Sequence, residues 1–249
     1  MDSRFKLPTE VIDLPSKGLL YPETSPLSSG TIEMKYMTAK EEDILTNTNY
    51  LTNGTAIDKL LQSLIITEGI NYNSLLLGDK NAIMLAARIL SYGKDYSITY
   101  NNEDVVVDLS TLQPKLFKEE LFKDRVNEFR YTLPHSQNEV TFKLLTHGDE
   151  KDIEKEVKGL QKLDKDSNAE GSTRLKYIIT SVNGSREVGD IRKFVDNYLL
   201  ARDARELRKY YSDIAPDIDF ITSIHTPNGV EEGVNVPIGL SFFWPDLDL

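Results

Sequence analysis

The sequence predicts an α+β fold of two tandem, similar α+β repeats related by a pseudo-twofold, and three observations carry that expectation. The first is an echo. "TIEMKYMTAKEEDI" (31–44) is answered by "EVTFKLLTHGDEKDI" (139–153), each alternating apolar and polar residues through a Lys to a Thr before breaking into acids and Asp-Ile. Lys35 and Lys143, and Thr38 and Thr146, fall at one constant offset. The second is order. "VIDLP" (11–15) and "FRYTLP" (129–134) precede the echoed strands, and each strand is followed by an acidic helix start, an apolar-faced helix ending in "IIT", a second helix and a hairpin-like segment. The third is composition. In a chain of 249 residues, 39% hydrophobic and 28% charged residues are ordinary globular values, enough to bury a sizeable core.

Taken in order, 1–10 reads as a tail and 11–112 as the first repeat. "TIEMKYMT" has the period of two of a half-buried strand, and the acids of "KEED" (40–43) favour a helix N-terminus. "TAIDKLLQSLII" places Ile57, Leu60, Leu61, Leu64 and Ile65 on one helical face, with Thr55 as N-cap. A second helix, "LLGDKNAIMLAARILSYG", starts near Leu76 and Asp79. "YSITYNNEDVVVDL" reads as a hairpin turning at "NNED". The segment 113–128 predicts a short amphipathic connecting helix behind Pro114.

The second repeat, 129–249, follows the same plan. "STRLKYIITSV" sets Leu175, Ile178, Ile179 and Val182 on a helical face behind Ser172, and "LLARDARELRKYYSDI" starts near Leu200 and Asp203. A hairpin with a "TPNGVEEG" turn and a strand from Val234 to Ile238 completes it. "KDSNAEGSTR" (165–174) reads as a flexible loop inside this repeat.

Charge and composition narrow the function. A formal net charge of −11 and a pI near 4.9 argue against nucleic acid or an anionic membrane as the main partner. The nearest basic stretch, "KLFKEELFKDR" (115–125), is largely cancelled by its own acids. The absence of cysteine excludes disulfides and thiolate metal sites. The opening residues lack the apolar core of a signal peptide, and apolar runs such as "LLQSLIIT" fall short of the roughly 18–20 residues that span a bilayer, so stable membrane insertion is not expected.

Catalytic patterns are missing from the sequence. His135, His147 and His225 have no ligand spacing on a helix, and neither a phosphate-binding loop nor a nucleophile elbow occurs. Asp149, Glu150 and Asp152 offer oxygens to a hard cation but lack the EF-hand geometry, and they suit a helix N-terminus better. No catalytic residue, metal or cofactor is therefore expected. The remote enzymatic alternative is a hydrolase using Asp79 and Asp203, whose places at matching helix starts already give them a capping role.

Two stretches suggest binding. "LPSKGLLYP" (14–22) has Pro15, Gly18 and Pro22 to preshape an arm, and Leu14, Leu19, Leu20 and Tyr21 to present to a partner; packing on its own domain is the alternative. Near the end, Phe242, Phe243, Trp244 and Pro245 either close the core or form a partner contact.

The arm "LPSKGLLYP", the strand "TIEMKYMT" with "AKEEDIL" after it, and "FFWP" resemble the baseplate hub subunits and hub assembly proteins (hub assembly catalysts or chaperones) of T-even-like contractile-tailed bacteriophages. The resemblance spans about residues 14–245. It implies a non-enzymatic morphogenesis factor that promotes assembly of the central hub in the host cytoplasm by binding other tail proteins, the tape-measure protein among them. The alternative in the same class is a permanent structural subunit of the virion baseplate. Some relatives carry Cys-x-x-Cys pairs at their hairpins; "TYNNEDV" and "HTPNGVEEG" have none, so no metal-stabilised tip is expected.

Overall fold

The computed structural model describes residues 7–122, 124–163, 169–226 and 229–243. It is a mixed α+β fold whose small sheets are all antiparallel. The N-terminal half runs β1 (Thr9–Asp13), β2 (Thr31–Lys35), α1 (Ala39–Leu45), α2 (Thr48–Thr52), α3 (Ala56–Leu64), α4 (Leu77–Tyr92), β3 (Asp95–Tyr100) and β4 (Glu103–Asp108). The C-terminal half runs β5 (Phe129–Thr132), β6 (Glu139–Phe142), α5 (His147–Leu163), α6 (Glu170–Ile178), β7 (Ile179–Val182), α7 (Val188–Asn197), α8 (Ala201–Ile214), β8 (Ile221–Thr226) and β9 (Gly229–Asn235). Among the described residues no helix is long and apolar enough to cross a membrane.

The elements form where side-chain period and burial agree. On β2, Ile32 and Met34 face inward while Glu33 faces out. On the β3–β4 hairpin, Tyr96, Ile98, Val105 and Val107 are buried and Ser97, Thr99 and Val106 are exposed. Asn101 (φ 50°) and Asn102 (φ 64°) turn this hairpin, both in the left-handed region that a two-residue turn between twisted strands requires. α3 starts after Thr55 as the sequence predicts, although the Thr55 hydroxyl makes no capping bond.

Several boundaries differ from expectation, each for a tertiary reason. α6 begins at Glu170, ahead of Ser172, so 170–174 of the expected loop are helical, while 164–168 lie outside the described residues. The helix stops at Ile178 and "ITSV" runs as β7, with Val182 opposite Val140 and Ile179 opposite Phe142. Beta-branched residues fit either state, and pairing with β6 decides. In the N-terminal half the corresponding "IIT" makes a single Met34–Ile65 bridge, reinforced by an Ile66 N–H to Glu33 C=O bond of 3.0 Å.

Among its described residues the connecting segment carries a 3-10 turn, Glu119–Phe122, instead of the expected amphipathic helix. Its Phe117 and Phe122 join Phe129 and Phe142 in a row of ring contacts at 5.1, 5.4 and 5.5 Å, and a short helix has little stability of its own to resist that pull. In the last hairpin, β9 already begins at Gly229, so the turn is shorter than "TPNGVEEG"; 227–228 lie outside the described residues. α7, with Ile191, Phe194 and Val195 buried at helical spacing, is an element missing from the sequence-based expectation.

The halves share one core and meet at two seams. At the first, Leu76 bridges Thr146, with His147 N–H donating to Leu75 C=O at 2.7 Å and Leu77 N–H donating to Leu145 C=O at 3.2 Å. At the second, Pro114 bridges Ile218, flanked by Lys115 N–H to Asp217 C=O and Asp219 N–H to Gln113 C=O, both 2.8 Å. Between the seams Gly78 lies so close that a Cβ there would sit 1.9 Å from the Pro216 carbonyl oxygen.

Candidate binding cleft and its buried supports

The arm between β1 and β2 is built as a chain of tight turns. Lys17 N–H donates to Leu14 C=O (2.8 Å), Leu19 N–H to Ser16 C=O (3.0 Å) and Tyr21 N–H to Gly18 C=O (3.3 Å). Gly18 (φ 73°) is required twice over: its backbone is left-handed, and a Cβ would stand 2.5 Å from the Ser28 carbonyl oxygen.

The arm is held by Asp79, three residues into α4 and wholly buried. Its carboxylate accepts from Ser16 N–H (2.9 Å), the Ser16 hydroxyl (2.7 Å) and the Tyr21 hydroxyl (2.6 Å). The Tyr21 hydroxyl in turn accepts from Leu76 N–H at 2.9 Å, so one side chain joins the arm, the start of α4 and the first seam. Burial pushes the Asp79 carboxyl upward against the hydrogen bonds from Tyr21 and Ser16 that pull it down. Burial and the neighbouring Asp79 charge hold the Tyr21 phenol far above its usual range.

This corrects the expectation of a presented arm. Leu14, Pro15, Gly18, Leu20 and Tyr21 are buried, Leu19 is half-buried against the core, and Pro22, like the polar Lys17, is exposed. The polar partner that draws Tyr21 inward lies on another element, out of reach of any local pattern. Phe242 and Phe243 are likewise fully buried, Phe242 edge-on to Tyr96 at 5.0 Å. Trp244 and Pro245 lie outside the described residues.

Asp203 has a related job. It too lies three residues into its helix, and it accepts from His135 N–H (2.9 Å) and Ser136 N–H (3.0 Å), just after Leu133-Pro134. Neither Asp caps its own helix, contrary to expectation; Leu76 and Leu200 hold the cap positions, and the carboxylates grip the Leu-Pro turns instead. The echoed Lys and Thr are matched in the same way. Glu41 accepts from Lys35 (2.7 Å) and Thr38 N–H (3.0 Å), and Asp149 from Lys143 (2.6 Å) and Thr146 N–H (2.9 Å), each acid closing the first turn of its helix.

Between the halves opens a cleft of ≈ 890 Å³, bounded by α3, α4, α5 and Ile238. At its inner end His147 is 3% exposed. Lys80 Nζ stands 3.1 Å from His147 Nδ1 and 2.7 Å from Asp58, and Asp58 Oδ2 stands 3.2 Å from His147 Nε2. Because lysine can only donate, the imidazole proton belongs on Nε2, facing Asp58. The Tyr72 hydroxyl also donates to Asp58 at 3.2 Å, and its ring meets His147 edge-on at 4.8 Å. Burial raises the Asp58 carboxyl, but the hydrogen bonds from His147 and Lys80 and the Lys80 charge outweigh it and hold the group well below the usual carboxylate range. Each polar group of this cluster is satisfied by another.

Sequence reasoning missed the cluster. Lys80 and His147 are 67 residues apart, and only the first seam brings them together. Compared with family models, with curated proteins and with solved structures, the chain has no match.

These supports give three stability predictions. Asp79→Ala strips the acceptor from three buried donors and is expected to cost about 4 kcal/mol in urea denaturation. Asp203→Ala frees two N–H groups nearer to water and costs about 2 kcal/mol. Asp58→Asn is expected to cost about 2 kcal/mol at neutral pH. Because the folded Asp58 carboxyl is depressed, that deficit is fully present above the unfolded carboxylate pKa of about 4 and closes as pH falls below it. Paired denaturation curves of wild type and variant across acid pH check the sign.

Proposed function

We propose that this chain is a non-enzymatic tail morphogenesis factor of a contractile-tailed phage, promoting baseplate hub assembly in the host cytoplasm by binding other tail proteins. The observation that carries the reading is the cleft. Its polar residues at the inner end are locked to one another, while its walls combine apolar side chains with charge, which suits holding a partner segment more than transforming a small substrate. The resemblance adds support: in the arm "LPSKGLLYP", Ser16, Gly18 and Tyr21 each have a structural role, as residues of a shared fold signature would.

We further infer that the halves, 11–112 and 129–249, are copies of one α+β unit. Support comes from the matched Lys-Thr-acid first turns, the paired Asp grips on Leu-Pro turns, and the paired contacts of the "IIT" segments with β2 and β6.

Co-expression with the neighbouring tail proteins, followed by affinity capture and size exclusion, tests the functional reading. A stable complex with the tape-measure protein or a hub component is expected, with the chain absent from purified particles. A lone monomer that is instead found in purified baseplates would replace the assembly factor with a permanent subunit.

A further inference from the structure

The cleft carries the wrong charge for its owner. The chain has a formal net charge of −11, yet the cleft is lined by six Lys and Arg side chains against three carboxylates. Four of the cations, Lys151, Lys155, Lys158 and Lys162, follow the spacing i, i+4, i+7, i+11 on α5, which sets them along one helical face. All four are exposed. Lys151, Lys155 and Lys162 have no carboxylate partner among the described residues, and Lys158 meets only Glu154 at 3.3 Å. Deeper in, Lys80 and Arg174 are already paired, with Asp58 and Glu150. The unused charge therefore lies at the rim. The remaining wall carries the apolar side chains of Ile57, Leu77, Met84 and Ile238, beside the neutral polar Asn53, Thr55 and Asn81.

We propose that this cleft is the docking site for an acidic amphipathic helix of a partner protein. The lysine stripe runs from Lys151 to Lys162 on α5, roughly 16 Å at helical rise, so about three turns of a helix alongside it would bring one carboxylate per turn to the lysines. Rotated inward, the same helix would set leucine-like side chains against Ile57, Leu77 and Met84. A phosphate polymer would satisfy the lysines but leave the apolar wall unfilled, and the acidic body would repel it. The stripe also explains how so acidic a chain would attract an acidic segment: within about 8–10 Å in physiological salt, local charge outweighs the distant net charge.

This inference rests on the partner-binding reading above, and two measurements separate their fates. The first is fluorescence anisotropy with a labelled peptide of about 14 residues, Leu on one face and Glu on the other, long enough to cover the stripe. Its controls are the same peptide with Lys for Glu, and a single-stranded DNA oligonucleotide. The Glu peptide is expected to bind, more weakly as salt rises, and to lose about tenfold in affinity to the K151Q/K155Q/K162Q variant, whose circular dichroism should be unchanged. Equal binding of both peptides, no binding, or tighter binding of the oligonucleotide would each overturn the proposal. So would a dimer of the free chain that the variant abolishes, since the occupant would then be a second copy. The second measurement repeats the co-expression capture with the variant. A tail protein retained equally by it overturns the cleft as the docking site but leaves the assembly role standing. Peptide binding without capture of any tail protein removes that role and keeps the cleft.

Discussion

One buried carboxylate sets the geometry on which the rest depends. Asp79 cannot remain inside the protein unless its oxygens are occupied, and Ser16 and Tyr21 occupy them. That requirement pulls the arm inward, forces Gly18 against the backbone at Ser28, and places the Tyr21 hydroxyl where it meets Leu76 N–H. Leu75, Leu76 and Leu77 are also the residues through which α4 joins the C-terminal half. A local electrostatic constraint thereby reaches the seam between the halves, and the seam in turn brings His147 to Asp58 and Lys80.

The cleft inherits its form from that seam. α5 starts at His147, whose backbone is fixed to Leu75 and whose ring is fixed by Asp58 and Lys80. With its first turn pinned on both backbone and side chain, α5 projects its lysine face along the opening. The groups at the inner end neutralise and bond one another, so the chemistry left over for a ligand is the rim charge and the apolar wall. That division, saturated inside and unsatisfied at the edge, is what the proposed docking role requires of a preformed groove.

What could be read from the sequence depended on distance along the chain. Lys35, Thr38 and Glu41 lie within seven residues, so the pattern that marks them is also the contact they make, and the same pattern at Lys143, Thr146 and Asp149 is equally visible. The hairpin of β3 and β4 was legible for the same reason. The arm was legible as a turn but not as to which way it faced, because its direction is set by a carboxylate 63 residues away. The change from α6 to β7 was hidden in a stretch whose apolar spacing fits both states, and the connecting segment followed its phenylalanines into the aromatic row instead of its helical period. Leu116, 98% exposed, shows how little of that segment's apolar pattern reports burial. The cleft was least legible: its cluster needs three elements at once, and only its lysine spacing on α5 was present in the sequence to be seen.

The seam at the start of α4 is expected to lock both halves into a single cooperative unit, and native-state hydrogen exchange read residue by residue tests this most directly. The amides of Leu77 and His147, which bond across the seam, should exchange only through global unfolding, with the same protection as core amides of α4 and β6. Exchange of these two amides far faster than either core would mean that the halves separate while each stays folded, and the account of a rigid, preformed cleft would be wrong.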